Sequence, residues 1–221
     1  MPQWPLVSRR FAYIHGFASS PLSKKGLLLA QRFEERGLTL ERPDLNRPSF
    51  ARLSHDAALA ALDDMDVGAR AAGATWGLVG SSLGGWLAAR WAELHPGRVE
   101  RLVLLCPGFD LASRWPVIFG EAAMARWRGS GFLELPDGSG VSTPVHYGFY
   151  EESKRQPACP EVPCPTLILH GTRDEVVPFE QSQRYAAARP RVELVELDGD
   201  HRLMECVDRI AEEAIAFLGE G

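Results

Sequence analysis

The sequence carries one serine in a setting that could make it a nucleophile. Residues 80–85 read GSSLGG and fit the pattern G-x-S-x-G with Ser82 at its centre. A short apolar run, residues 76–79, precedes the pattern, and a stretch with helical spacing follows it. In such a strand–turn–helix the chain reverses sharply, and Gly80 and Gly84 lack side chains that would collide across the turn. The pattern predicts a Ser82 hydroxyl exposed above a sheet; the alternative is a glycine-rich turn that only brings helix and strand close together.

A serine hydroxyl needs a base to take its proton, and the sequence offers six histidines. His201 lies in DGDHRL, between the last apolar run and the last helical stretch. Sites in open parallel sheets form in the loops at the carboxyl ends of strands, which favours His201 as the base. His15 and His170 end predicted strands directly before a glycine, as turn-shaping residues do. The other three histidines, His55, His95 and His146, fall in helical or inserted segments.

The base in turn needs a carboxylate that fixes its tautomer and stabilises the imidazolium. Asp174 follows the strand predicted at residues 166–170 and therefore falls at the same sheet edge, with Glu175 as the alternative. Asp198 and Asp200 lie close to His201 in sequence, and we expect them to shape its loop through local backbone hydrogen bonds. The resulting chain order of nucleophile, acid and base is typical of α/β-hydrolases and differs from the chymotrypsin and subtilisin orders.

Acyl transfer also needs N–H donors for the oxyanion. One donor is predicted at Leu83, directly after the nucleophile, and the second is expected in the loop after the first strand. That loop reads HGFASS, and Phe17, the residue after the His-Gly pair, would supply its backbone N–H. The alternative is that residues 15–20 form an ordinary turn between strand and helix.

Two kinds of segment alternate along the chain and must position these residues. Short apolar runs bounded by glycine or proline predict strands at residues 11–15, 76–80, 99–106, 166–170 and 192–197. Longer stretches with helical spacing lie between them, at residues 27–33, 57–72, 83–94, 181–188 and 203–218. The alternation predicts a single α/β domain, residues 1–221, with a doubly wound parallel sheet covered by helices on both faces.

Residues 107–163 break this alternation and hold eight of the chain's 20 aromatic side chains. They also contain PDGSG, residues 136–140, a turn typical of a hairpin. A structureless loop of this length would be exceptional, so we expect a cap segment, residues 108–162, that folds over the sheet. Trp115, Phe119 and Trp127 are the candidates for lining a substrate pocket; the alternative is that they form the core of the cap segment itself.

Composition excludes several classes of protein. The 221 residues, 45% of them hydrophobic, carry a net charge of −5, whereas nucleic-acid binders present a basic surface. No apolar run is long enough to span a membrane, and the N-terminal stretch before His15 is too short for a signal-peptide core. The cysteines at positions 106, 159, 164 and 206 lack zinc-ligand spacing. We therefore expect free thiols, no metal, no cofactor and a cytoplasmic location.

The segments HGFASSPLSKKG, GSSLGGW, HGTRDEVVP and DGDHRL resemble the α/β-hydrolase superfamily of serine esterases, across nearly the whole chain. They are similar to the small bacterial YqiA-like esterases and to the mitochondrial acyl-protein thioesterase group, which is known for depalmitoylation and acyl-glucuronide hydrolysis. The resemblance implies a trimmed sheet of about six mostly parallel strands without the usual antiparallel start. It assigns the catalytic roles to Ser82, Asp174 and His201, and the oxyanion hole to Phe17 and Leu83.

Three hypotheses about function follow. The first is a cofactor-free serine hydrolase that cleaves a small-molecule carboxylic ester or thioester through an acyl-enzyme. The second is a non-catalytic α/β-hydrolase scaffold that binds a small molecule; such proteins usually lose a triad member or an elbow glycine, and this chain keeps them. The third is a perhydrolase or acyltransferase, in which peroxide or an alcohol takes the place of water.

Overall fold

Strands and helices alternate along the chain, as the sequence predicts. The computed structural model describes residues 8–219, so part of the N-terminal stretch considered for a signal peptide lies outside the described residues. Two short 3-10 turns, Phe50–Arg52 and Met204–Cys206, accompany the main elements. In chain order these are β1 (Arg9–Ile14), α1 (Lys24–Glu34), β2 (Leu40–Glu41), α2 (His55–Ala71), β3 (Thr75–Ser81), α3 (Leu83–Leu94), β4 (Val99–Leu105), α4 (Leu111–Phe119), α5 (Glu121–Ser130), β5 (Phe132–Pro136), β6 (Ser142–His146), α6 (Gly148–Ser153), β7 (Thr166–Gly171), α7 (Phe179–Ala187), β8 (Val192–Leu197) and α8 (Val207–Gly219).

Six strands form one parallel sheet in the order β2-β1-β3-β4-β7-β8. The predicted α/β-hydrolase fold with about six strands is thereby confirmed. The carboxyl ends of the central strands are in register, because Ile14 pairs with Gly80, and Leu105 pairs with both Ser81 and Leu169. The loops that follow these strands consequently meet at one edge of the sheet.

Helices cover both faces of the sheet, which explains why its strands read as continuous apolar runs. Along β1, Ala12 and Ile14 belong to the core beneath α2 and α3. Phe11 and Tyr13, the alternate residues, belong to the core beneath α1 and α8. The period of two along each strand divides the buried side chains between two cores.

The cap segment between β4 and β7 contains α4, α5, α6 and an antiparallel hairpin of β5 and β6. The Asp137 side chain holds the hairpin turn, since its Oδ1 accepts hydrogen bonds from the backbone N–H groups of Ser139 (2.8 Å) and Val141 (3.1 Å). The hairpin tip reaches the loop after β1, where a Cβ on Gly138 would lie 2.8 Å from the backbone carbon of Ser19. The cap segment therefore closes over the sheet edge where the predicted site residues lie.

None of the helices within residues 8–219 has the length and apolar character needed to cross a bilayer. The four cysteines are free thiols. Cys106 and Cys164 are buried, and Cys159 is exposed.

Candidate active site

Ser82 occupies a sharp turn between β3 and α3. Its φ of +54° and ψ of −122° are a strained combination for a residue with a side chain. The turn depends on its glycines: a Cβ on Gly84 would overlap the backbone oxygens of Ile14 and His15, and one on Gly80 would lie 2.5 Å from the Gly84 oxygen. The G-x-S-x-G pattern thus corresponds to close backbone approaches that a larger residue would block.

Three side chains from three different loops meet at this turn. The Ser82 Oγ lies 3.0 Å from His201 Nε2, and His201 Nδ1 lies 2.7 Å from Asp174 Oδ2. Because an ionised carboxylate accepts hydrogen bonds, His201 donates through Nδ1–H and offers its Nε2 lone pair to the Ser82 hydroxyl. The structure therefore brings together the residues that the sequence predicts as nucleophile, base and acid. It leaves Glu175, the alternative acid, exposed to solvent.

The Asp174 carboxylate is shielded from solvent and receives several hydrogen bonds. Its Oδ1 accepts from the backbone N–H groups of Val176 and Val177, both at 2.8 Å. Burial raises the pKa of the Asp174 carboxyl, but hydrogen bonds from His170 and His201 outweigh burial and hold this pKa well below its usual range. The Asp174 carboxylate behind the His201 ring is thus ionised at neutral pH.

His170 contributes to this site in a way that sequence reasoning missed. Its ring is fully buried, with Nε2 located 3.2 Å from Asp174 Oδ2 and 3.0 Å from the Val177 carbonyl oxygen. Its Nδ1 lies 2.7 Å from the Ser182 hydroxyl. With Nε2–H donating, His170 holds both the acid and the turn that carries it. The position of His170 four residues before Asp174 was the available signal, but the glycine that follows His170 indicated only a turn-shaping role.

One group of potential metal ligands occurs in the described part of the chain: Cys106, His170 and Asp174 place their ligand atoms within 4.8 Å of one another. Both nitrogens of His170 already form hydrogen bonds, and two histidines share the Asp174 carboxylate. Burial raises the pKa of the Cys106 thiol, so it is held protonated. The group is accordingly explained as the hydrogen-bond environment of the Asp174 carboxylate.

The two predicted oxyanion donors, Phe17 and Leu83, lie next to Ser82. Leu83 is the first residue of α3, and a Cβ on Gly16 would lie 3.1 Å from the Ser82 Cβ and 3.7 Å from the Leu83 nitrogen. Within residues 8–219, the backbone N–H groups of Phe17 and Leu83 have no hydrogen-bond acceptor. They are available for an oxyanion, and the N-terminus of α3 adds its partial positive charge.

An open cleft of about 1200 Å³, including space continuous with solvent, contains the Ser82 and His201 side chains. Phe17, Gly138 and Arg202 also line it. Lys25 reaches in from α1, and its Nζ donates to the hydroxyl of Ser81 at 3.1 Å. Burial lowers the pKa of the Lys25 ammonium.

None of the three aromatic candidates of the cap segment lines this cleft. The Trp115 ring packs edge-on against Phe17, with centroids 5.1 Å apart, and stacks on Phe119 at 5.3 Å. Trp127 is fully buried, and its Nε1–H donates to the Val145 carbonyl oxygen at 2.8 Å. Trp115 thus packs against the loop after β1, while Trp127 belongs to the core of the cap segment.

The chain is similar in sequence to a group of mitochondrial proteins from mammals. Mouse mitochondrial palmitoyl-protein thioesterase ABHD10 is 29% identical over 195 residues, which are 80% of this chain and 60% of that protein. The rat protein of the same name is 26% identical over 224 residues, covering 89% of this chain and 70% of the relative. The chain therefore spans about 60% of the length of the mouse relative.

Solved structures show the same fold. Mouse alpha/beta hydrolase domain-containing protein 10 superposes with a TM-score of 0.74 and 23% identity over 95% of this chain and 89% of the other. Est1E from Butyrivibrio proteoclasticus superposes with a TM-score of 0.77 and 18% sequence identity, covering 97% of this chain and 88% of the other. Residues 10–219 match UPF0227, described as an uncharacterised protein family. The chain belongs to the UPF0227 family and has the fold of the α/β hydrolases.

Proposed function

We propose that the protein is a serine hydrolase that cleaves a carboxylic ester or thioester through an acyl-enzyme intermediate. The observation that carries this proposal is the continuous hydrogen-bond chain from Asp174 through His201 to Ser82, at 2.7 and 3.0 Å. A nucleophile, its base and a group that orients the base are the parts that acyl transfer requires.

In the first half-reaction the Ser82 oxygen bonds to the acyl carbon while its proton moves to His201 Nε2. The carbonyl electron pair moves onto oxygen, and the N–H groups of Phe17 and Leu83 stabilise the oxyanion. Each such donor is typically worth about 3–4 kcal/mol in the transition state. His201 then protonates the leaving alcohol or thiol as its bond to carbon breaks. Asp174 stabilises the imidazolium that exists between these two transfers.

In the second half-reaction water replaces the alcohol or thiol. His201 Nε2 takes a proton from water, and the new hydroxide oxygen bonds to the acyl carbon of the Ser82 ester. Collapse of the second oxyanion releases the acid and returns the proton to the serine oxygen. No redox change or further reactant is needed, so the site residues suffice for the full cycle.

The relatives and the surroundings of Ser82 support this substrate class. The mouse relative is named a palmitoyl-protein thioesterase, which supports an acyl ester or thioester as the substrate. Largely apolar side chains, including Leu87 and Phe149, lie next to Phe17 and Leu83, as contact with an acyl group requires.

Labelling with a fluorophosphonate, followed by peptide mass mapping, tests the proposal. We expect an adduct on Ser82 in the wild type and no adduct in Ser82→Ala. In His201→Ala, which lacks the base, labelling should be slowed by roughly a hundredfold or more. Ser142→Ala, which changes an exposed serine of the hairpin, serves as the matched control and is expected to label normally. A folded wild-type protein that forms no adduct and hydrolyses no acyl ester would support the binding-scaffold hypothesis instead.

A further inference from the structure

The open cleft beside Ser82 is lined by positive charge. Lys24 and Lys25 line it from the start of α1, and Arg202 lines it from the loop after β8. No aspartate or glutamate among residues 8–219 belongs to its lining. The whole chain has a net charge of −5, so these cations are a local feature of the cleft. A cleft lined by charges of one sign attracts ligands of the opposite sign.

Two of the three cations have no carboxylate partner in the described part of the chain. The side chains of Lys24 and Arg202 are exposed to solvent, and within residues 8–219 they form neither an ion pair nor a hydrogen bond. By contrast, the exposed Arg173 pairs with Asp198. The charges of Lys24 and Arg202 are therefore available to an anion that enters the cleft.

The third cation lies deeper in the same cleft. Lys25 is half-buried, and the hydrogen bond that its Nζ forms within the described chain goes to the Ser81 hydroxyl at 3.1 Å. An ammonium has three N–H donors, so donors remain for a ligand. Burial lowers the pKa of the Lys25 ammonium, and the charges of Asp174 and Asp200 act against burial. Asp174 is occupied by His201, and Asp200 accepts from backbone N–H groups of its own loop.

The position of the cleft assigns it to the leaving group. His201 lines it, and in the proposed mechanism His201 Nε2 protonates the leaving oxygen or sulfur. Arg202 directly follows His201 in the chain, and Lys25 donates to Ser81, the residue before the nucleophile. The cations thus flank the place that a leaving group must occupy to receive its proton.

We propose that the open cleft selects leaving groups that carry a phosphate monoester a few bonds from the scissile oxygen or sulfur. A phosphate monoester has a charge of about −1.5 to −2 at pH 7 and three strong acceptor oxygens, so it matches three cations better than a carboxylate does. The phosphate itself does not react: the bond between the acyl carbon and the leaving atom breaks, His201 supplies the proton, and the P–O bonds stay intact. This inference rests on the proposed function, because it takes His201 as the acid that protonates the leaving group.

Esters that differ only in the leaving group test the cleft. The probes are the monohexanoate of propanediol, its phosphate monoester, and a hexanoate ester with a carboxylate in place of that phosphate. We expect the wild type to favour the phosphorylated ester over the neutral ester by about tenfold or more in kcat/KM at low salt, as hydrogen bonds to a charged group allow. The carboxylate ester should gain less. A carboxylate ester that is hydrolysed as well as the phosphorylated one would overturn the assignment to phosphate.

Lys24→Gln and Arg202→Gln test the charges without disturbing the core, because both side chains are exposed. Each change should lower the preference for the phosphorylated ester by roughly threefold, and adding Lys25→Met to both should bring the ratio close to one. Salt should lower the wild-type preference too, since the screening length falls from about 30 Å at 0.01 M to about 3 Å at 1 M. An unchanged preference in the folded Lys24→Gln, Arg202→Gln double variant would overturn the site.

Lys154→Gln is the matched control, because it removes the same charge from an exposed lysine that does not line the open cleft. We expect an unchanged preference for the phosphorylated ester and the same dependence on salt as in the wild type. An equal loss of preference in Lys154→Gln and Lys24→Gln would show that net charge attracts the phosphate, and the site would be wrong.

Binding of the intact esters separates this inference from the proposed mechanism. Calorimetry on Ser82→Ala needs no turnover, and the phosphorylated ester should bind several-fold more tightly than the neutral ester. A protein that hydrolyses none of the esters but still binds the phosphorylated one more tightly would refute the mechanism and keep the cleft. Active wild-type enzyme with equal binding and equal hydrolysis of both esters would refute the cleft and keep the mechanism.

Discussion

The sheet edge around Ser82 and the cap segment are held in place by different kinds of contact. At the sheet edge, the site residues are positioned by close contacts between glycine and neighbouring backbone and by backbone N–H donors. Gly84 lies against β1, and two backbone N–H groups donate to Asp174. In the cap segment, ring contacts dominate, and a few side chains attach it to the scaffold. Trp86 Nε1 donates to the Pro157 carbonyl oxygen at 2.8 Å, and Glu152 binds the start of α2.

This difference separates the chemistry from the selectivity. The turn that carries Ser82 and the N–H donor of Leu83 belong to one short segment, residues 80–85, so their geometry is determined locally. Side-chain contacts such as His55 with Phe149 and Glu152 depend on segments far apart in the chain. Substitutions that disturb the turn or the hydrogen bonds of the triad at the sheet edge should therefore change the rate for all substrates, and substitutions in the cap segment should change stability or substrate choice.

Outside the Ser82, His201 and Asp174 side chains, the largest effect is expected from His170→Leu at the sheet edge. It removes a buried N–H from Asp174 Oδ2, and a hydrogen bond to a charged group is worth about 1.5–3 kcal/mol. We therefore expect kcat to fall by roughly 10- to 150-fold, with KM nearly unchanged. Ser182→Ala removes only the partner of His170 Nδ1 and should cause a smaller loss.

The pH profile distinguishes this positioning role from general destabilisation. The pKa of the Asp174 carboxyl is lower in the folded state than in the unfolded chain. The stability that this charge contributes is therefore fully present when the pH is above the ordinary pKa, and it is lost as the pH falls through the folded pKa. Without the His170 bond that folded pKa rises, so the stability that the Asp174 charge contributes should fade at a higher pH than in the wild type, measured by urea denaturation between neutral and acid pH. A profile of unchanged shape in a folded variant would show that His170 only fills space.

Glu152→Gln tests the attachment of the cap segment. The carboxylate accepts from Ser54 and Asp56 at the N-terminus of α2, where negative charge is favourable. We expect a loss of about 1–3 kcal/mol in the free energy of unfolding at neutral pH, measured by urea denaturation. Labelling of Ser82 by a fluorophosphonate should change little.

The same charge predicts how that loss depends on pH. Because the folded pKa of Glu152, about 2, lies below the ordinary value of 4.5, the stabilisation is fully present above pH 4.5 and fades as the pH falls toward 2. The difference between wild type and Glu152→Gln should therefore shrink in acid. Glu151→Gln, a change at the exposed neighbour, is the control and should have no such effect. A difference that stays constant with pH would mean that Glu152 acts through packing alone.

Sequence patterns predicted the strands and helices that have a regular pattern of apolar residues. They missed the elements and contacts that depend on partners far away in the sequence. The run at residues 166–170 lies within β7, because a strand that is buried on both faces is apolar along most of its length. Leu40–Glu41 is too short for any period, and it pairs as β2 only because β1 presents an edge. In the same way, parallel strands bring the loops of Asp174 and His201 together, which topology alone predicts. The contact between His55 and Glu152 needs the folded cap segment, and no local pattern encodes it.

The smallest effect is expected where the two regions touch. A Cβ on Gly138 would lie 2.8 Å from the backbone carbon of Ser19, so Gly138→Ala must move the hairpin tip away from the loop after β1. Gly138 lines the open cleft, and we expect kcat/KM to change by roughly threefold, through KM, because the backbone near Ser82 stays in place. Gly129→Ala is the matched control, because a Cβ there meets nothing within 4 Å and alanine favours helix α5 by roughly 0.5–1 kcal/mol. If Gly138→Ala instead lowers kcat as strongly as His170→Leu, the hairpin positions the catalytic groups, and the separation between sheet edge and cap segment is wrong.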